Sequence, residues 1–185
     1  MSNISMTTSK RNAIVTVMLI SAFVSMLNQT ILNTALPAII KGLNITETTA
    51  QWLITGFMLV NGIMIPLTAF LMDKYSTRHL YIFSMAIFLI GSIVAAFSPT
   101  FSILMISRII QAIGAGILLP LMQFTVFTLF PAEQRGFAMG LAGVVVQSAP
   151  AIGPTLTGLF VDLFSWRMPF YLVSAIAAAV SYTHL

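Results

Sequence analysis

A single arginine inside a long apolar segment is the strongest chemical signal in the sequence. Arg108 lies near the start of the apolar run from Ser102 to Phe130, where a charge that faces lipid costs a few kcal/mol. Gln111 follows three residues later, so a helix would place both side chains on one face. The pair predicts a polar site inside a helix bundle or beside a water-filled path. An arginine that extends its head to the membrane surface is the alternative.

Polar residues also cluster in the second half of the first apolar run. They are Asn28, Gln29, Thr30, Asn33 and Thr34. Inside a bilayer, such side chains take partners on neighbouring helices or line a water-filled path. Hydrogen bonds between helices and a contribution to transport both fit this pattern, and we carry Asn28 and Asn33 forward as candidates for substrate or proton coupling.

The fifth apolar run is rich in glycine and proline. These residues are Gly136, Gly140, Gly143, Pro150, Gly153, Pro154 and Gly158. The three glycines at the start suggest close helix packing. The later prolines and glycines weaken the helix, so the pattern predicts a bend beside a transport path.

The sequence carries no pattern that is typical of an enzyme or of a cofactor site. It has no cysteine, which excludes disulfides and thiolate metal sites. The stretch Gly114-Ala115-Gly116 lies inside an apolar run without a preceding strand, so it is not a nucleotide-binding loop. We expect neither a catalytic site, nor a cofactor, nor a metal.

The composition is that of a membrane protein. Hydrophobic residues make up 58% of the chain and charged residues only 6%, whereas soluble domains carry about 25% charged residues. The net charge of +4 comes from basic residues that are dispersed between apolar runs. Such dispersion argues against nucleic acid as a partner and for a lipid bilayer.

Six apolar runs predict an all-α, polytopic membrane helix bundle. The predicted helices span residues 13–36, 50–72, 80–97, 102–130, 136–160 and 169–180. Residues 1–12 would form an N-terminal tail. The sixth run is too short to cross a bilayer, so we interpret the chain as truncated inside its sixth helix. Two interpretations of residues 181–185 stay open: a native continuation or a non-native tail.

Basic residues predict the orientation of the chain in the membrane. An N-terminus in the cytoplasm places five basic residues inside and two outside, and basic residues favour the cytoplasmic side. The five are Lys10, Arg11, Lys74, Arg78 and Arg135, and the two are Lys41 and Arg167. We therefore predict a multi-pass protein with a cytoplasmic N-terminus.

Several motifs in order resemble the 14-helix drug:proton antiporter family of the major facilitator superfamily, over nearly the whole chain. Residues 27–37 resemble its first-helix motif, L-D-x-T-[IV]-[VL]-N-x-A-L-P. Residues 69–81 resemble its loop motif, and residues 108–116 its helix-four motif, R-x-x-q-G-x-g-a-a. Residues 149–158 resemble its antiporter motif, g-x-x-x-G-P-x-x-G-G, and residues 165–170 resemble the S-W-R-w-x-F entry to helix six.

The resemblance implies the N-terminal six-helix half of a transporter, built from inverted three-helix repeats that work by alternating access. Asp73, Lys74 and Arg78 would form a gating loop on the cytoplasmic side, with Glu133 as the partner of Arg78. The resemblance also implies a plasma-membrane location and a C-terminal half of the same chain as partner.

The resemblance assigns further roles inside the membrane. Arg108 would act in proton coupling or in gating that is linked to the substrate. Gly153 and Pro154, with Gly158, would shape the bend that favours efflux over uptake.

The sequence departs from the family pattern in ways that affect the coupling. Asn28 stands where the family often has aspartate, and an amide can neither carry a proton nor attract a cationic drug. Further departures are Ala69, Ser76, Thr77, Ala112, Ala149 and Thr157. The four carboxylates, Glu47, Asp73, Glu133 and Asp162, lie in loops or near helix ends. We expect the proton-carrying carboxylate in another part of the protein.

The function that we expect is proton-coupled efflux of drug-like or amphiphilic compounds, with the small-molecule substrate and protons as partners. A metabolite exporter or an uptake porter of the same superfamily is one alternative. A membrane subunit that does not transport is another. By itself, the chain is expected not to transport.

Overall fold

The computed structural model describes residues 7–182, and nearly all of these lie in six α-helices. They are α1 (Thr8–Leu43), α2 (Glu47–Lys74), α3 (Thr77–Ala96), α4 (Phe101–Leu129), α5 (Ala132–Leu163) and α6 (Met168–Tyr182). α1 to α5 are long and apolar enough to cross a bilayer. The predicted all-α membrane bundle is confirmed for the described residues. Residues 1–6 of the predicted N-terminal tail and 183–185 of the C-terminal tail lie outside them.

The first helix continues past the proline at which the sequence pattern predicts its end. α1 extends to Leu43, and Pro37 lies exposed on its surface. A continued helix loses only the bond that proline cannot donate, and it packs Ile39 and Leu43 into a hydrophobic cluster. α1 ends at Asn44, whose left-handed backbone (φ 52°) lets its N–H bond the carbonyl oxygen of Ile40.

Three helices begin at a hydroxyl residue that accepts a backbone N–H from three residues later. The pairs are Thr46 with Thr49 (3.2 Å), Ser76 with His79 (3.4 Å) and Thr100 with Ile103 (3.4 Å). Each cap satisfies a donor that the first turn of a helix leaves free. Because each capped helix starts within a few residues of the end of the preceding helix, the connections are short. Helices that are joined by short connections run antiparallel.

α4 lies at the centre of the bundle. It packs against α1, α2 and α3, while α1 packs against α5 and α6. In α4, 56% of the most apolar window is buried, compared with only 22% in α2 and in α5. α2 and α5 therefore present broad apolar faces to the outside.

Two hydrophobic clusters fill the interior. The large cluster includes Val24, Leu27, Ile31, Phe57, Phe88, Ala112 and Ala115. The small cluster includes Leu32, Ala35, Leu53, Ala96, Leu104, Trp166 and Phe170. The small cluster lies toward the α1–α2 and α3–α4 connections, and the large cluster fills the rest of the bundle.

Candidate functional site

Arg108 is buried in the centre of the bundle, with 1% of its surface exposed. Its Nη1 donates a hydrogen bond of 2.7 Å to Oε1 of Gln111. Its guanidinium carbon lies 4.2 Å from the ring centre of Phe57 on α2. None of the described acidic side chains, which are those of Glu47, Asp73 and Glu133, forms an ion pair with it. An amide and an aromatic face therefore contact this charge. The spacing of Arg108 and Gln111 predicted that their side chains share a face, and the structure adds the hydrogen bond between them.

Gln111 connects the arginine to α3. Its Nε2 donates to Oγ of Ser92 at 3.0 Å, and this hydroxyl donates to the carbonyl oxygen of Phe88 at 2.8 Å. Gly91 allows the approach, because a Cβ there would lie 2.7 Å from Cγ of Gln111 and 2.8 Å from its backbone nitrogen. α3 and α4 are thus joined by a chain of polar contacts inside an apolar bundle.

Asn28 is fully buried on α1, and neither its amide nitrogen nor its amide oxygen has a hydrogen-bond partner. Asn33, the other candidate on this helix, is exposed. Five residues along a helix turn the side chain by about 140°, so the two asparagines lie on different faces. The structure brings Asn28 into the interior and leaves Asn33 outside it.

Four of the buried polar residues of α1, α3 and α4 lie at about one level, between the two clusters: Asn28, Ser92, Arg108 and Gln111. Asn28, Ser92 and Arg108 each lie one helical turn from a residue of the small cluster, and one turn in the opposite direction from a residue of the large cluster. The neighbours in the small cluster are Leu32, Ala96 and Leu104, and those in the large cluster are Val24, Phe88 and Ala112. We call Asn28, Ser92, Arg108 and Gln111 the polar layer. Because α1 packs against α4, the layer crosses the middle of the bundle.

The charged connection between α2 and α3 is open to solvent. Asp73, Lys74 and Arg78 are exposed, and the Nζ of Lys74 lies 4.4 Å from the ring centre of Phe70. Across the described part of the chain, no ion pair involves Asp73 or Arg78. Glu133 is also exposed and is not paired with Arg78. The charge network that the resemblance implies for this connection is therefore not formed in this structure.

α5 remains helical through both of its prolines. Gly153 is buried against α1, where a Cβ would lie 3.0 Å from Cβ of Thr30 and 3.5 Å from Cδ1 of Leu27. The hydroxyl of Thr157 donates to the carbonyl oxygen of Gly153 at 2.7 Å. Pro154 is exposed. The antiporter-like segment thus joins α5 to α1 at Gly153.

The other glycines of α5 do not pack closely. A Cβ at Gly136, Gly140, Gly143 or Gly158 would meet no atom within 4 Å. Gly136, Gly140 and Gly143 therefore do not form the tight helix contacts that the sequence pattern suggested, because they lie on the exposed side of α5.

A cavity of about 190 Å³ opens between α1, α4 and α5. Three methionines and two glutamines give its lining both soft and polar groups: Met26, Met122, Met139, Gln123 and Gln147. The sequence analysis did not find this site, since its residues come from three helices and share no local pattern. The one feature of the sequence that could have indicated such a cavity is its high methionine content, 12 residues.

Among the side chains that the structure describes, which exclude that of Asp162, no group of three or more histidine, aspartate or glutamate residues could hold a metal ion. The polar layer contains one cation, two amides and a hydroxyl. These groups suit the recognition of a ligand by hydrogen bonds.

Comparisons with known proteins agree with this architecture. The sequence profile of the Major Facilitator Superfamily matches residues 18–183. The uncharacterized MFS-type transporter YcnB of Bacillus subtilis is 55% identical over 163 residues, which cover 88% of this chain and 34% of YcnB. The lincomycin resistance protein LmrB of Bacillus subtilis is 42% identical over 170 residues, which cover 89% of this chain and 36% of LmrB.

More distant relatives extend the comparison. The probable multidrug resistance protein EmrY of Escherichia coli is 35% identical over 151 residues, which cover 82% of this chain and 30% of EmrY. A crystal structure of a bacterial homolog of the human lysosomal transporter Spinster, inward-facing and unoccupied, shares the fold with a TM-score of 0.80 at 19% identity. The matched region covers 94% of this chain and 42% of the chain of the Spinster homolog.

The chain spans about a third of the length of the curated relatives that it matches. Relatives and fold are those of membrane transporters, and no relative described here is named as an enzyme. This six-helix, multi-pass chain belongs to the Major Facilitator Superfamily of transporters.

Proposed function

We propose that this chain is the N-terminal bundle of a proton-coupled antiporter that exports drug-like, amphiphilic compounds across the plasma membrane. Its N-terminus would lie in the cytoplasm. The observation that carries the proposal is the polar layer, in which Arg108 is buried together with Gln111 and Ser92. Ionisable groups inside a membrane bundle mark substrate or ion pathways far more often than passive structure.

The cavity between α1, α4 and α5 supports an amphiphilic substrate. Methionine side chains adapt to ligands of different shape, and Gln123 and Gln147 add hydrogen-bonding groups. With about 190 Å³, the cavity is smaller than the roughly 300–1,000 Å³ of pockets for drug-sized ligands. It would therefore hold one part of the substrate, and a second bundle would contact the rest.

The exposed faces of α2 and α5 support a second bundle as the partner. Large apolar side chains such as Leu59, Ile63, Leu141 and Val144 are at least half exposed there. The matched regions cover only 36% and 30% of the relatives named for lincomycin and multidrug resistance. We propose that the substrate is bound between the two bundles, as in transporters built from repeats.

The proton carrier would lie outside this chain. Glu47, Asp73 and Glu133 are exposed, and Asp162 belongs to the last turn of α5. Arg108 would then act on a carboxylate elsewhere, with Gln111 and Asn28 beside it. Asp73, Lys74 and Arg78 would gate the path in another conformation of the transporter, in which their charges are paired.

Gly153, with Pro154 and Gly158, would control the contact of α5 with α1 while the bundles move. The buried approach of Gly153 to Thr30 supports this part of the proposal. Such a close contact would let α5 rotate against α1 while the two helices stay together. We propose that it serves as a hinge between them.

The experiment uses the complete reading frame that encodes this chain, reconstituted in liposomes. An imposed pH gradient should drive the accumulation of radiolabelled lincomycin, and a protonophore should abolish it. Accumulation that persists at the same rate with the protonophore would exclude proton coupling. No transport of lincomycin, ethidium or other drugs in a panel would exclude drug efflux.

One observation keeps a second candidate open. The amide of Asn28 cannot attract a cation as a carboxylate would, and this favours a metabolite exporter or an uptake porter with a neutral or anionic substrate. Stabilisation of the purified complete protein against heat by metabolites, and not by drugs, would favour this candidate.

A further inference from the structure

We infer that the hydroxyl of Thr68 on α2 holds a hinge in α4 closed, and that release of this hydrogen bond lets the end of α4 move. The hinge comprises residues 116–120. The inference deepens the proposed function and rests on it, since the hinge borders the cavity that we propose for the substrate.

Pro120 removes one backbone hydrogen bond from the interior of α4. Because proline has no N–H, the carbonyl oxygen of Gly116, four residues earlier, has no donor within its own helix. Gly116 is buried, and a backbone group without a partner inside a membrane bundle is costly. This carbonyl therefore needs a donor from a neighbouring helix.

Thr68 on α2 supplies this donor. Its Oγ1 donates to the carbonyl oxygen of Gly116 at 3.2 Å, and its side chain is 0% exposed. The two helices come this close because position 116 has no side chain: a Cβ there would lie 2.5 Å from Cβ of Met64. α2 thus bonds α4 at the point where α4 lacks its own bond.

The contact is specific to this proline. α1, α2 and α5 also contain prolines in their interiors: Pro37, Pro66, Pro150 and Pro154. Within residues 7–182, no side chain of another helix donates to any of the carbonyl groups that these prolines leave free. Only the hinge in α4 is held from outside its helix in this part of the chain.

The hydroxyl of Thr68 has a second acceptor. Its Oγ1 also lies 2.7 Å from the carbonyl oxygen of Met64, on its own helix. A hydroxyl carries one hydrogen, so the two carbonyl groups share this donor. When α4 moves away, the hydroxyl keeps the bond to Met64. The hinge can therefore open without leaving the donor on α2 unpaired.

The cavity between α1, α4 and α5 lies beside the hinge. Leu119, just before Pro120, lines it, and so do Met122 and Gln123, just after. A bend at Pro120 would displace Met122 and Gln123 relative to the first half of α4, and the cavity would change in width. The bond from Thr68 would thus connect the position of α2 to the shape of the substrate cavity.

The first test is a double-mutant cycle on the purified complete transporter, denatured in mixed micelles. Thr68→Val removes the hydroxyl. It should raise the equilibrium constant of unfolding more in the wild-type background than in Pro120→Ala, where the N–H of residue 120 bonds Gly116 within α4. The excess should be about two- to tenfold, which corresponds to one net hydrogen bond. Thr68→Ser keeps the hydroxyl and should show no excess.

Thr157→Val on α5 is the matched control for this cycle. Thr157 is 1% exposed, and its hydroxyl donates to the carbonyl oxygen of Gly153 on its own helix. Its substitution should have the same effect in both backgrounds. An excess of equal size for Thr157→Val, or no excess for Thr68→Val, would overturn the inference.

The second test measures motion by electron–electron double resonance on a cysteine-free background. Spin labels at Tyr75→Cys and Thr128→Cys report the distance between the ends of α2 and α4 beyond the hinge, and labels at Thr48→Cys and Ile103→Cys report the opposite ends. Thr68→Val should broaden the distance distribution of the first pair and leave that of the second unchanged. Equal broadening of both pairs, or of neither, would overturn the inference.

Neither test uses a substrate, so the two proposals can fail separately. A transporter that meets both expectations but moves no drug would refute the proposed function alone. One that moves drugs, with no excess in the cycle and no change in the distances, would refute the hinge alone.

Discussion

We propose that the chemistry of this bundle depends on Arg108. Its charge is held by the amide of Gln111 and the ring of Phe57, at 2.7 Å and 4.2 Å. Neither neighbour carries a negative charge, and the Nε donor of the guanidinium has no hydrogen-bond partner. Such a group can respond to a charged ligand or to a proton carrier, whereas a guanidinium closed in an internal ion pair could respond to neither.

Gln111→Leu should lower the free energy of unfolding of the complete protein by about 1–3 kcal/mol, because Nη1 of Arg108 loses its partner in a buried site. Denaturation in mixed micelles with increasing dodecyl sulfate measures this change. Gln51→Leu is the matched control, since Gln51 is exposed at the start of α2. Equal effects of the two substitutions would show that the buried hydrogen bond contributes nothing.

The sequence predicted part of this site from local spacing. The interval of three residues placed Arg108 and Gln111 on one face, and their contact is present. Phe57 and Ser92 were missed, since a pattern along one helix contains no information on which other helix faces it. A polar residue in the apolar run of α3 was the only available signal for Ser92.

At the scale of helices, the bundle depends on where a glycine permits close approach. Gly153 lies against Thr30 of α1, and Gly91 lies against Gln111 of α4. Four other glycines of α5 meet no atom. The sequence could not distinguish the packed glycines from the unpacked ones. The spacing of glycines along a helix does not show whether their side of the helix faces another helix.

Gly153→Ala should destabilise the complete protein by about 1–3 kcal/mol, because the added methyl overlaps Thr30 at a closely packed contact. The same denaturation series measures the effect. Thr30→Ala should restore part of the loss, since it removes the hydroxyl and methyl groups nearest to position 153. The control is Gly158→Ala, which meets no atom within 4 Å and should be neutral or stabilising. A loss of equal size at both glycines would contradict the contact.

The helix boundaries show where local rules fail in a membrane. The sequence pattern placed a helix end at Pro37, yet α1 continues to Leu43. Beyond Pro37, Ile39 and Leu43 pack into the small cluster. This burial favours continuation of the helix, and proline removes only one backbone donor from it.

At the scale of the whole molecule, the all-α fold and the order of the helices follow from composition and apolar runs. The exposed face of α2 could not be foreseen in the same way, since α2 is as apolar as the more buried α1, whereas α5 is the least apolar of the five spans. We propose that the exposed faces of α2 and α5 meet the second bundle, and that basic residues hold the N-terminus in the cytoplasm.

The orientation can be tested by cysteine labelling, because the chain has no cysteine of its own. Thr48 and Tyr75 are exposed and lie near opposite ends of α2. In intact cells, a membrane-impermeant maleimide should label Thr48→Cys, and it should label Tyr75→Cys only after permeabilisation. The reverse pattern would place the N-terminus outside.

The central claim is that a buried guanidinium in the middle of this bundle serves transport. The most direct test is the initial rate of proton-driven lincomycin accumulation by liposomes that contain the complete transporter. Arg108→Gln should lower this rate by about tenfold or more, as expected for the loss of charged hydrogen bonds, while the protein still elutes as a folded species. Arg135→Gln, which removes a charge at the start of α5, should keep most of the rate. An Arg108→Gln protein that transports at the wild-type rate would contradict the account.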